Sequence, residues 1–146
     1  MWLGVALLGC LAFVCAVWIV WSNQREIARR QRLILYKTNP AVVLALCRQI
    51  RAKQALFRGN PDWHPTPATG GDYPDPADPR MPPVIAGLRP CTISILPGGV
   101  RIELGGGPYH FGVAEQLPGA PVPALAVKLL IPGLWYYAED GKAPPP

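Results

Sequence analysis

The chain has 146 residues, about one domain's worth, half of them hydrophobic and 16% charged, with 19 Pro and 15 Gly. That length argues against a TIM barrel or a full dinucleotide-binding fold. Pro plus Gly, 34 of 146, is high for a compact globule yet below the range of wholly disordered chains. The formal charge of +5 hides a division: residues 25–58 carry nine bases and one acid (+8), residues 59–146 five bases and eight acids (−3).

The first element is an uncharged, proline-free run of twenty residues, Trp2 to Trp21. A helix of that length is about 30 Å long, the thickness of a bilayer's hydrocarbon core. Trp2 stands at one end and Trp18 and Trp21 at the other, the level that amphipathic rings prefer. A transmembrane anchor over 1–22 is the expectation. It is preferred to a cleaved secretory signal, because no Lys or Arg precedes the run, and to a lipoprotein box at Leu7-Leu8-Gly9-Cys10, because eleven apolar residues follow that cysteine. Arg25, Arg29, Arg30, Arg32 and Lys37 crowd its carboxyl side. The positive-inside rule then gives a single-pass protein of a bacterial inner membrane, amino terminus outside and head in the cytoplasm.

Residues 23–59 read as a basic helical neck. The helix leaves the membrane, breaks at Thr38-Asn39-Pro40, and restarts with Asn39 as N-cap and Pro40 at the first helical position. Val43, Leu46, Cys47, Ile50 and Phe57 form an apolar stripe flanked by Arg48, Arg51, Arg58 and Lys53. Such a neck fits anionic lipid headgroups or a neighbouring subunit's helices. Nucleic acid fits less well, since no aromatics interleave the bases.

Residues 60–83 hold eight prolines in 24 positions and read as an extended strap. Its Trp63 and Tyr73 are candidate anchors onto the head or a partner. Asp72, Asp75 and Asp78 lack the glycine and glutamate of a calcium loop and read as a solvated acidic turn.

The head, 84–142, alternates with period 2 through Thr92–Ile95, Val100–Leu104 and Tyr109–Val113, with turns at Pro97-Gly98-Gly99 and Gly105-Gly106-Gly107-Pro108. These predict a three-strand antiparallel meander. A short helix opened by Pro123 and ended by Pro132-Gly133 follows, with a strand over Val127–Ile131 as the equal alternative, then a last strand at Leu134–Tyr137 and a tail at 143–146. Trp135, Tyr136 and Tyr137 are candidate partner contacts. The fold class is α+β. A head of this size is near the lower limit for independent stability, so packing on the neck, the strap or another subunit is expected.

Chemistry is sparse. His110 faces Glu103 and Arg101 across neighbouring strands and forms the one candidate proton-shuttle pair, against the plainer reading of an exposed cross-strand charge pair. His64 lies in the strap. The chain has no GxSxG, HExxH or phosphate-loop pattern, and Cys47 and Cys91 are isolated. No cofactor and no metal site is expected. The reading is a non-catalytic accessory or assembly subunit of a larger membrane complex. The alternative is a membrane-tethered module that binds a protein or peptide, and a small enzyme using His110 and Glu103 comes third.

Overall fold

A computed structural model describes residues 2–61, 71–105 and 109–144, with side chains described from Cys10 onward. Helix α1 runs from Trp2 to Arg32, 31 residues and about 46 Å, and ends in three basic residues that complement its dipole. A π-helical turn, Leu33–Lys37, closes it. Thr38 and Asn39 then break the helix as expected, and the Asn39 side chain accepts from the Ala41 N–H at 2.9 Å to cap α2, Pro40–Ala52. Among the described residues no helix is long and apolar enough to cross a membrane. The described side chains of the apolar run, Cys10 to Trp21, cover about 18 Å of helix.

Among the described residues five strands form one antiparallel sheet in the order β1-β2-β3-β5-β4. They are β1 Thr92–Leu96, β2 Gly99–Gly105, β3 Phe111–Glu115, β4 Ala126–Ile131 and β5 Leu134–Ala138. The first three reproduce the expected meander. The helix expected after Pro123 is instead β4. Pro132-Gly133, with Gly133 at φ +89°, makes a two-residue turn that sets Ile131 opposite Leu134. That turn forces antiparallel pairing, and strand geometry suits Val127 and Ile131. A second departure is a short helix α3, Pro83–Gly87, at the expected boundary of strap and head.

Register explains the core. Ile93, Ile102, Val113 and Tyr136 lie side by side across four strands, and all four are fully buried. Their face packs against Ile34 of the α1 extension and against Val43, Leu44, Cys47 and Ile50 of α2, with Ile85 and Leu88 from the region of α3. Each large apolar side chain so buried contributes about 1.5–3 kcal/mol. The head therefore has no separate core: neck and sheet share one, as its small size required. The stripe read on α2 is consumed by this contact.

The strap is tied down at both described ends. Asp72 and Ile95 exchange backbone hydrogen bonds at 3.1 and 2.8 Å, which closes the outer edge of β1. Asn60 N–H donates to the Tyr73 carbonyl at 2.7 Å and Asp75 N–H to the Arg58 carbonyl at 2.8 Å.

Candidate functional site

A cleft of about 250 Å³ lies between α1 and the ends of β3 and β5. Gln24, Ile27, Ala28 and Gln31 supply one wall at the spacing of a single helix face. Tyr109 and His110, before β3, and Glu139 and Asp140, after β5, supply the polar part of the other. Gln24 Nε2 donates to the Tyr109 hydroxyl at 2.8 Å, and Glu139 N–H donates to the His110 carbonyl at 2.9 Å, so the walls are held by the fold itself. Both carboxylates are exposed. Close by, the Tyr136 hydroxyl is buried and has no hydrogen-bond partner of acceptable geometry. Burial, reinforced by the Asp140 carboxylate, pushes this phenol up to about 12.

On the opposite face of the sheet the expected pair forms: His110 Nδ1 lies 2.5 Å from Glu103 Oε1. Arg101 stands 4.0 Å from Glu103 and stacks over the Tyr137 ring, 4.0 Å from its centroid. Gly112 is required there, because a Cβ would run into the Ile102 carbonyl and lie 2.9 Å from the Tyr137 hydroxyl. Burial raises the Tyr137 phenol well above its ordinary range and also raises the Cys91 thiol. The pair can orient an imidazole. Cys91, nearest in charge to Arg30 and Glu103, is kept protonated rather than activated.

The neck's bases divide into two sets. Arg51 pairs with buried Glu115 at 3.0 Å, Arg48 approaches it at 3.9 Å, and Val100 N–H donates to it at 3.2 Å. Arg58 reaches Asp75 at 3.2 Å. Asp78, read in sequence as part of a solvated turn, is buried. It accepts from Arg58 N–H at 2.8 Å and from the Arg80 guanidinium at 2.7 Å. The Arg80 side chain, then the backbone N–H groups of Arg58 and Arg80, hold its carboxyl well below the usual range. Arg48, Arg51 and Arg58 of the neck, with Arg80 of the strap, clamp neck, strap and sheet together. The second set lies on α1 and its π-helical turn, and of it Arg30 reaches the sheet, donating to the Leu104 carbonyl at 2.8 Å. Arg25 lies over the Trp21 ring, 3.4 Å from its centroid. Glu26 takes Arg29 at 2.8 Å and Arg30 at 3.1 Å and is lowered to about 2 by them. Arg32 and Lys37 are exposed.

The aromatic candidates also separate. Trp18 and Trp21 are exposed neighbours, ring centroids 5.7 Å apart. Tyr73, Tyr136 and Tyr137 are buried, and only Trp135 of the expected patch reaches the surface, with its Nε1 donating to Gln116 Oε1 at 2.8 Å. Trp63, His64 and the Gly106–Pro108 part of the glycine turn lie outside the described residues, and so does the side chain of Trp2. Sequence reading passed over Glu115 and the Gln24–Gln31 wall. Glu115 carried a legible signal: it continues the inward parity of Phe111 and Val113, where a carboxylate needs a partner. No family model, curated protein or solved structure matches the chain.

Proposed function

We propose that the chain is a non-catalytic, membrane-anchored accessory or assembly subunit whose head is mounted rigidly on its anchor. One observation carries the reading. Helix α1 continues from the apolar run into the shared core, where Ile27, Leu33, Ile34 and Leu35 pack, so the head cannot swing on a linker. Trp2 to Trp21 would span the bilayer, with Trp18, Trp21 and Arg25 at the headgroup level and the exposed Arg29, Arg32 and Lys37 further out on the same side. The head would lie on the cytoplasmic side of an inner membrane. Rigid mounting holds a docking surface at a fixed height and angle above the membrane, which serves assembly of a complex.

Carbonate extraction of native membranes tests the anchor, and a reporter fused after Pro146 tests its orientation. Mild-detergent extraction, a native gel and mass spectrometry test the subunit reading. A discrete large band with stoichiometric neighbours supports it, and migration near the monomer mass overturns it.

The second reading, a tethered peptide-binding module, draws on the far edge of the sheet. Val122, Leu125 and Leu129 are exposed around β4, beside Trp135, and among the described residues nothing pairs with the outer edge of β4. Such a module would purify as a monomer with a transient ligand.

A further inference from the structure

We propose that the head itself touches the membrane, through Tyr109 at the end of the sheet nearest the anchor, with the headgroup layer of the bilayer as its partner. The inference rests on the anchor reading above, because the bilayer sets the level from which the contact is measured. What it adds is a second point of attachment, supplied by the head rather than by the helix.

The sheet presents one end to α1. Gln24 Nε2 donates to the Tyr109 hydroxyl at 2.8 Å, and Arg30 Nη1 donates to the Leu104 carbonyl at 2.8 Å. Leu104 lies near the close of β2 and Tyr109 just before β3, so both stand on the same rim. Ala138, Glu139 and Asp140, at the close of β5, meet Gln24 and Gln31 across the cleft and belong to that rim as well. The opposite rim turns to α2: Leu44 approaches Gly133, and Arg51 pairs with Glu115 at 3.0 Å. Five residues of β3, about 16 Å of strand, separate the two rims.

The helix is a ruler for depth. Gln24 is three residues past Trp21, about 4.5 Å further along α1, whereas Arg30 is about 13 Å beyond it. The headgroup layer is about 5–8 Å thick on each side. Gln24 is therefore within it, and the Arg30–Leu104 contact is outside. Helical side chains lean toward the amino terminus, here toward the bilayer, which brings the Tyr109 hydroxyl back toward Trp21 rather than away from it. Tyr109 is 40% exposed, and its apolar ring with a polar tip suits the same interface as Trp18 and Trp21. Asp140 and Gln31 both act on the Tyr136 phenol, so that carboxylate stands at the outer end of the cleft, about 10 Å beyond Gln24 and clear of the headgroups. Packing of Ile27, Leu33 and Leu35 on the shared core keeps the rim from lifting away. A helix alone can turn about its own axis in a bilayer. With Tyr109 seated beside it, one side of the head is held to the membrane and the other sides are left for partners.

The test uses the full chain in nanodiscs of equal phosphatidylethanolamine and phosphatidylglycerol, with benzoyl-phenylalanine, a C–H-inserting photocrosslinker, placed at Val17, Tyr109 or Pro118 in turn. Val17 is on the exposed apolar half of α1, and Pro118 is exposed beyond the far end of β3. Illumination should give lipid adducts at positions 17 and 109 and a loss of them at 118, read by mass spectrometry. Adducts at 17 alone overturn the contact while the anchor stands, and adducts at all three positions overturn the upright rim. No adduct at 17 removes the anchor and the contact with it. A measurement on the unaltered chain guards against misfolding of the substituted one. Phosphatidylethanolamine bearing a headgroup diazirine should label the peptide that contains Tyr109 and not the one that contains Pro118, and the absence of that preference overturns the proposal.

Discussion

The two halves of α1 share one backbone and obey different constraints. From Cys10 to Arg25 every side chain is exposed, with Phe13 at 70% and Trp18 at 64%. About two and a half turns beyond, Ile34 is 2% exposed and sits in the core. The second half is stabilised by the sheet. The first half presents contiguous apolar surface of a size that marks a membrane or a protein partner. The contrast teaches that the exposed apolar half and the head are one mechanical body: the helix that carries the apolar run leads directly into a wall of the head's core.

Truncation is the most direct way to break that comparison. Removing residues 2–21 should leave a cooperative melt, because no described core side chain is lost. Removing residues 2–52, or expressing 84–142 alone, should abolish it. The fragment exposes Ile93, Ile102, Val113 and Tyr136, worth about 6–12 kcal/mol together, comparable with the whole stability of a small domain. Circular dichroism melts decide between these outcomes. A fragment 84–142 that melts near the full chain's temperature refutes the shared core.

The same logic applies to single arginines. Arg51→Ala leaves Glu115 buried with only distant Arg48 to compensate it, and should cost about 3 kcal/mol in denaturant unfolding. Arg48→Ala, removing an exposed partner at 3.9 Å, should cost less than about 1 kcal/mol. On the α1 extension, Arg29→Ala should leave the head's melting temperature unchanged, since its pair with Glu26 is exposed. Equal effects at all three positions would erase the distinction between the buried pair that joins α2 to the sheet and the exposed pairs of the neck.

What the sequence made legible follows from range. The break at Asn39-Pro40, the cap on α2 and the β1–β3 meander are specified by neighbours within a few residues, and they were readable. The stripe on α2 was readable as well, but not what it covers, because a lipid surface and a sheet impose the same apolar spacing. Asp78 looked solvated for a similar reason: its partners Arg58 and Arg80 are supplied by a chain reversal that no local pattern encodes. Pro132-Gly133 reads equally as a helix stop and as a hairpin turn, and the choice between helix and strand for Val127–Ile131 is made by pairing with β5, which no local pattern encodes. The cleft beside α1 joins residues 24–31 to 109–111 and 138–140, a convergence that only the fold supplies.

Acid and alkali probe the head from two sides. The Asp78 pKa is depressed in the folded state, so its stabilisation is present above the ordinary carboxylate pKa of about 4 and is lost as pH falls below it. Asp78→Asn should therefore flatten the acid limb of the stability curve. Cys47 is pushed up to about 12 by burial, then by Glu115. Its contribution is complete below about pH 8.5, the unfolded thiol pKa, and falls as pH rises toward 12. The cysteines also report on the two halves directly. A membrane-impermeant maleimide, applied to the solubilised protein, should label exposed Cys91 slowly in the folded state and Cys47 only on unfolding. Cys10 and Cys15, exposed on the apolar half, should label in denaturant but not in intact membranes. Rapid labelling of Cys15 in membranes would sink the anchor.

The smallest expected effect falls on the residue that looked most chemical. His110 is 42% exposed in its side chain and meets Glu103 on the outer face of the sheet, away from the shared core. Exposed pairs of this kind are worth about 0.2–1 kcal/mol, so His110→Ala should lower the melting temperature only slightly and leave assembly with partner subunits intact on a native gel. Its carbonyl, not its ring, accepts from Glu139 N–H, and that bond survives the substitution. The variant therefore isolates the imidazole. If it abolished function while expression, melting and assembly stayed normal, the His110–Glu103 pair would be reacting chemistry, and the non-catalytic reading would give way to the enzyme.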